Sequence, residues 1–129
     1  MKNIFALFIF LLSISSTSFG QGNLQFNQVI NGEITALVDY DLTTMGTITV
    51  PTGKVWKVES VSMRYFDGAW ATVSNATAWI NKHHVWDPGL NIPSILPLWL
   101  SPGTYTISAV GSNETIDFTY SVIEFNVIP

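Results

Sequence analysis

The sequence predicts an all-β fold: a single antiparallel β-sandwich, jelly-roll-like, after a cleaved signal peptide. Three observations predict it. Beyond the first twenty residues, apolar side chains alternate with Thr, Ser and other polar residues at a period of two, which marks half-buried strands. Turns that combine proline with glycine separate many of these runs. No stretch carries a helical period worth setting against them.

The start reads as an export leader. Lys2 gives a short basic region, Ile4 to Ile14 is apolar apart from Ser13, and Ser15 to Ser18 is small and polar. Ser18-Phe19-Gly20 then satisfies the small-x-small rule of signal peptidase, and Gly20-Gln21-Gly22 satisfies it two residues later. The apolar run is about half of the roughly 20 residues that a membrane-spanning helix needs. We therefore expect residues 1–20 to be removed and residues 21–129 to form one domain, secreted or periplasmic, without a membrane anchor. The chain has no cysteine. That excludes a lipid-bearing N-terminal cysteine, and it leaves burial alone to hold together a small exported domain of a kind often stapled by disulfides.

Charge narrows the partners. The expected domain carries Lys54, Lys57, Arg64 and Lys82 against nine Asp and Glu, and the whole chain has a formal charge of −4. No basic patch is available to neutralise phosphates, so nucleic acid is not an expected partner.

The expected strands, in order, are Leu24–Ile30, Glu33–Tyr40, Met45–Val50, Lys54–Tyr65, Ala69–Val73, Asn75–Asn81, His84–Trp86, Ile95–Leu100, Thr104–Val110 and Asp117–Ile128. Asn31-Gly32 reads as a tight turn between the first two. Pro51-Thr52-Gly53, Asp87-Pro88-Gly89 and Ser101-Pro102-Gly103 read as turns further on. Ile34, Ala36, Val38 and Tyr40 share one face, as do Tyr105, Ile107 and Ala109, and Leu96, Leu98 and Leu100. Two long segments change phase. Trp56 and Val58 oppose Val61, Met63 and Tyr65. Phe118, Tyr120 and Val122 oppose Ile123, Phe125 and Val127. A strand swaps its buried face only through a bulge or a change of sheet, so bulges are expected near Glu59-Ser60 and near Val122-Ile123. Many short strands without intervening helices indicate a sandwich or jelly roll.

Val50-Pro51-Thr52-Gly53-Lys54-Val55-Trp56 forms a turn-and-strand entry. Leu98-Trp99-Leu100-Ser101-Pro102-Gly103-Thr104 repeats the scheme, and Ile123-Glu124-Phe125 closes the order. Across Thr47 to Val127 this arrangement resembles small jelly-roll domains of phage-type structural and fibre proteins, and uncharacterised secreted β-sandwich proteins of Gram-negative bacteria. The resemblance implies the fold and carries no functional residues with it. The chain departs from a phage component in carrying an export leader.

No catalytic constellation stands out. His83-His84 with Asp87 is the one histidine-bearing cluster, but neighbours in a strand point to opposite faces, and no cysteine or further histidine completes a zinc set. Asp39 and Asp41 could share a strand face and offer carboxylates to Ca²⁺, although such pairs commonly mark a strand running into solvent. Glu33, Glu59, Glu114 and Glu124 have no signature around them, and no G-x-S-x-G elbow occurs. We expect no enzymatic activity, no catalytic residues, no metal and no cofactor.

The five tryptophans are more telling. Trp56 falls on a core phase. Trp79 opposes Ala78 and Ile80, Trp99 opposes Leu98 and Leu100, and Trp86 lies near a turn. Trp79, Trp86 and Trp99 are therefore the candidate ligand-binding residues, since exposed aromatics on a rigid sheet stack on sugar rings or anchor protein contacts. The expected function is a non-catalytic binding or structural module that self-associates or binds a protein or glycan partner. The alternatives are a carbohydrate-binding module using these aromatics and, behind it, a small hydrolase.

Overall fold

Alternating sequence becomes alternating burial along eight strands of a computed structural model, which describes residues 24–66, 75–88, 95–111 and 113–128. The strands are β1 (Leu24–Val38), β2 (Thr43–Val50), β3 (Lys54–Tyr65), β4 (Thr77–Ile80), β5 (His83–Trp86), β6 (Leu98–Leu100), β7 (Gly103–Val110) and β8 (Glu114–Val127). They form two four-stranded antiparallel sheets, ordered β1-β8-β3-β6 and β2-β7-β4-β5. No helix occurs among the described residues. The expected leader, the expected strand Ala69–Val73 and Trp70 lie outside them.

The sheets pack face to face as a β-sandwich. The first sheet sends Trp56, Val58, Met63, Leu100, Ile116, Phe118 and Val122 inward. The second answers with Ile48, Val50, Ala78, Ile80, Val85, Ile107 and Ala109. One apolar layer thus replaces the covalent staples that a cysteine-free domain lacks.

Turn chemistry acts where glycine and asparagine permit it. Gly53 has φ +75° and lets Lys54 N–H donate to the Pro51 carbonyl at 3.1 Å, closing the β2–β3 turn. Asn81, at φ 53°, opens the two-residue link between β4 and β5. It is clipped to β7 in both directions: its N–H donates to the Thr106 carbonyl, and its Oδ1 accepts from Thr106 N–H, each at 2.7 Å. The hairpin therefore turns at Asn81-Lys82, and His83 belongs to β5.

Three expectations need correction. Asn31-Gly32 is no turn: β1 runs through it, with Asn31 opposite Ser121 and Gly32 opposite Tyr120. Glycine is required there for space, since a Cβ on Gly32 would stand 2.1 Å from Tyr120 Cζ. Tyr40 lies beyond the end of β1 and is exposed. The bulge near Glu59 exists and turns β3 from Trp56 and Val58 to Met63 with one buried face throughout. The second expected bulge does not lie in β8. That strand keeps one phase through Ile116, Phe118, Val122 and the buried Glu124, and the irregularity sits on β1 at Asn27.

Candidate functional site

The displaced bulge builds the most distinctive region of the molecule. Neighbours on a regular strand point to opposite faces, but a bulge turns two of them to one side. Asn27 and Gln28 accordingly both reach Glu124, donating to its Oε1 at 2.6 and 3.0 Å. Trp56 Nε1 donates to Oε2 at 2.8 Å, and Lys54 Nζ lies 3.9 Å from Oε1. Lys54 also donates to Asn126 Oδ1. Burial pushes the Glu124 carboxyl up, but the three hydrogen bonds and the Lys54 charge outweigh it and hold the pKa below its ordinary value. With only 3 % of its surface exposed, Glu124 is an ionised, fully engaged acceptor.

Glu124 points inward, so its neighbours on β8 point out. Ile123 and Phe125 emerge on the outer face of the β1-β8-β3-β6 sheet. Cross-strand pairing places Phe26 and Val55 beside Phe125, and Val29 and Lys57 beside Ile123, with Trp99 next to Lys57. The Trp99 ring leans across β3 to within 5.6 Å of the Phe125 ring, and Lys57 Nζ lies 5.8 Å from the Trp99 ring centre. Lys57 is itself tied to Glu59 at 2.6 Å. The result is an apolar band across all four strands. Phe26 is 60 % exposed, Val29 54 % and Trp99 50 %.

The same outer face turns polar further along. A shallow groove of about 550 Å³ is lined there by Asn31, Glu33, Ser60, Ser62, Thr119 and Ser121, together with Gly32, Val61 and Tyr120. Beyond it Arg64 bridges Glu33 at 2.9 Å and the buried Asp117 at 3.3 Å, while Thr35 Oγ1 donates to Asp117 at 2.5 Å. Apolar band, hydroxyl-lined groove and charge network follow one another along a single sheet.

Of the three candidate tryptophans, only Trp99 belongs to this band. Trp79 points outward from the other sheet, half-buried and edge-on to His84 at 5.7 Å between ring centres. Trp86 pairs with Ala78 and packs against the core, and its buried Nε1–H has no partner among the described residues. The three rings share no platform. Sequence reasoning missed Phe26, Val29, Ile123 and Phe125. Their signal lies in the alternation of β8, which continues unbroken from Val122 to the buried Glu124 and so turns Ile123 and Phe125 outward.

The other clusters stay apart. His83 pairs with Ile80 at the hairpin end, whereas His84 lies under Trp79 with Nε2 3.5 Å from Asp87 Oδ2. Asp39 accepts from the Tyr40 N–H at 2.7 Å in the β1–β2 connection, and the Asp41 carbonyl accepts from Thr43 Oγ1 at 3.1 Å. Among the described residues no three His, Asp or Glu side chains converge as a metal site would require. No helix among them is long and apolar enough to cross a membrane. Compared with protein-family models, curated proteins and solved structures, the chain matches none.

Proposed function

We propose that this chain is an exported, non-catalytic binding or structural module of the jelly-roll type, which engages its partner through the outer face of the β1-β8-β3-β6 sheet. The carrying observation is the apolar band of Phe26, Val29, Ile123, Phe125 and Trp99. Contiguous apolar surface of this kind, rimmed by polar residues, marks an interaction site. The jelly-roll class is supported by the strand orders β1-β8-β3-β6 and β2-β7-β4-β5, in which chain neighbours β1 and β2, β3 and β4, and β5 and β6 lie in opposite sheets. Export to the periplasm or beyond rests on the leader pattern of residues 1–20. So does the likeness to secreted β-sandwich proteins, in preference to the phage components that the same turn-and-strand motifs resemble. The non-catalytic reading is supported by Glu124, whose lowered pKa suits a structural acceptor and ill suits a general acid at neutral pH.

A carbohydrate-binding module is the second reading. One observation favours it: the half-exposed Trp99 ring shares an outer face with a groove lined by hydroxyl and amide groups. The test is Trp99→Ser in the exported protein, measured by bis-ANS binding, retention on a polysaccharide panel and thermal melting. We expect weaker dye binding with a nearly unchanged melting temperature. Retention on a polysaccharide that is lost in the variant moves the assignment to the glycan reading. A steep fall in melting temperature with unaltered dye binding makes the ring part of the core and overturns both.

A further inference from the structure

The two flanks of the sandwich are built differently. Among the described residues the sheets end on one flank in β5 and β6, of four and three residues. Lys82 precedes β5 and Pro88 follows it, while Pro97 and Pro102 bracket β6. Short edges flanked by proline and lysine are how proteins prevent strands from adding to a sheet. On the other flank the sheets end in β1 and β2, of fifteen and eight residues. Here Ile34 of β1 packs over Gly46 of β2. Neither strand contains Lys, Arg or Pro, and beyond the bulge at Asn27 β1 runs in unbroken register from Gln28 to Val38. Their single charge, Glu33, is held within its own sheet by Arg64. The N-terminal half of β1 is exposed from Leu24 to Val29 and bears Phe26 and Val29 on its outer side.

From this asymmetry we infer that the chain forms a two-fold dimer in which β1 pairs antiparallel with β1 of a second copy. The occupant must offer an extended edge and apolar side chains at the same place. A second β1 offers both. Although the chain is acidic overall, the meeting strands bring no unpaired charge together. The pairing is also self-limiting. A two-fold contact uses both β1 edges, joins two four-stranded sheets into one of eight, and leaves only the guarded β6 edges at its ends. Pairing β1 to β6 would instead make an open filament, and a three-residue strand is a poor template for that. A two-fold axis perpendicular to the sheet keeps both outer faces on one side. The dimer thereby sets two apolar bands end to end, with Phe26 and Val29 near the axis and each Trp99 far from it. This inference rests on the binding-face reading for what the joined bands would hold, though the contact itself lies on β1.

The cysteine-free chain gives a clean test. Single variants Phe26→Cys, Val29→Cys and Asn31→Cys sample the outer side of β1, and each new thiol has only its counterpart in another copy to oxidise with. We expect sedimentation equilibrium of the unaltered exported protein to give twice the monomer mass. At least one cysteine variant should form a disulfide-linked dimer under mild oxidation, and Val29→Lys should be monomeric with unchanged circular dichroism. A monomer mass throughout the micromolar range, or a dimer that survives Val29→Lys while no cysteine variant cross-links, overturns the inference. Trp99 lies away from β1, so its effect on bis-ANS binding is read separately. Monomeric protein with Trp99-dependent dye binding keeps the binding face and discards the dimer.

Discussion

Removing the Glu124 carboxylate orphans three donors at once: Trp56 Nε1–H, Asn27 and Gln28. Asn27 and Gln28 are exposed and can turn to water, but the Trp56 indole is buried. A buried donor left without an acceptor costs about 1–3 kcal/mol, so Glu124→Leu should lower the urea midpoint, and Glu124→Gln, which keeps one acceptor oxygen, should lower it less. Acid acts on the same group. The folded pKa lies below the unfolded one, ordinarily about 4.3, so its contribution is present above that value and is lost as pH falls through the lower folded pKa. Urea midpoints followed downward from neutral pH should therefore fall less steeply across that window in Glu124→Gln than in the parent. The tryptophans divide along similar lines. Trp56→Ala should cost about 3–5 kcal/mol as a buried ring, Trp99→Ser far less, and Trp79→Ser an intermediate amount, all readable from thermal melts. Strand phase made the outward direction of Trp79 and Trp99 legible in the sequence. It could not show that they leave from opposite sheets, because which sheet a strand joins is decided by pairing across long sequence separations. Nor could it place Phe125 outward. A glutamate is ordinarily a surface residue, and only the bulge at Asn27 and the indole of Trp56 make its burial affordable.

Strand β1 shows how a local turn signal loses to tertiary pairing. Asn-Gly favours a hairpin, yet β8 lies alongside residues on both sides of Asn31-Gly32 and holds the strand straight through. Gly32 is there because the Tyr120 ring occupies the space its side chain would fill. Gly32→Ala should force that ring aside at about 1–3 kcal/mol. Burial raises the Tyr120 pKa, so the associated stability is present below the ordinary tyrosine pKa of about 10 and is lost as pH rises through the folded value. In Gly32→Ala, spectrophotometric titration of the phenols should lose its late-titrating component. Strand β3 was the converse case. Its phase change was readable because Trp56, Val58 and Met63 are all apolar and leave only a bulge to reconcile them, and the bulge lies at Glu59. β8 hid its phase because it buries Asp117 and Glu124, residue types that ordinarily mark the solvent side of a strand.

At the scale of the whole molecule, the sandwich has its apolar layer inside and an apolar band outside at one end of the β1-β8-β3-β6 sheet, while Leu37, Tyr40, Leu42 and Phe66 are exposed separately at the other end of β1 and β3. Far-UV circular dichroism of the purified protein should be dominated by strand signal, and native-state hydrogen exchange should find β8 the slowest of the described strands, since it is paired with a neighbour along nearly its full length on both sides. β5 and β6 should exchange fastest among the strands, being short and at sheet edges. The position of β8 also constrains how the chain can acquire its structure. The last of the described strands is a central strand of its sheet, lying between β1 and β3. Until it leaves the ribosome, neither of those earlier strands has its main partner, and the pairing of β1 with β8 closes nearly the full length of the domain. Folding of the sandwich must wait until β8 has been made, and it should then proceed on the millisecond-to-second scale of topologies dominated by distant contacts. A nascent chain halted at Gly111 should accordingly remain fully protease-sensitive, whereas one extended past Val127 should become resistant. A polypeptide that stays unfolded until β8 has emerged is one that can still be threaded through a narrow pore.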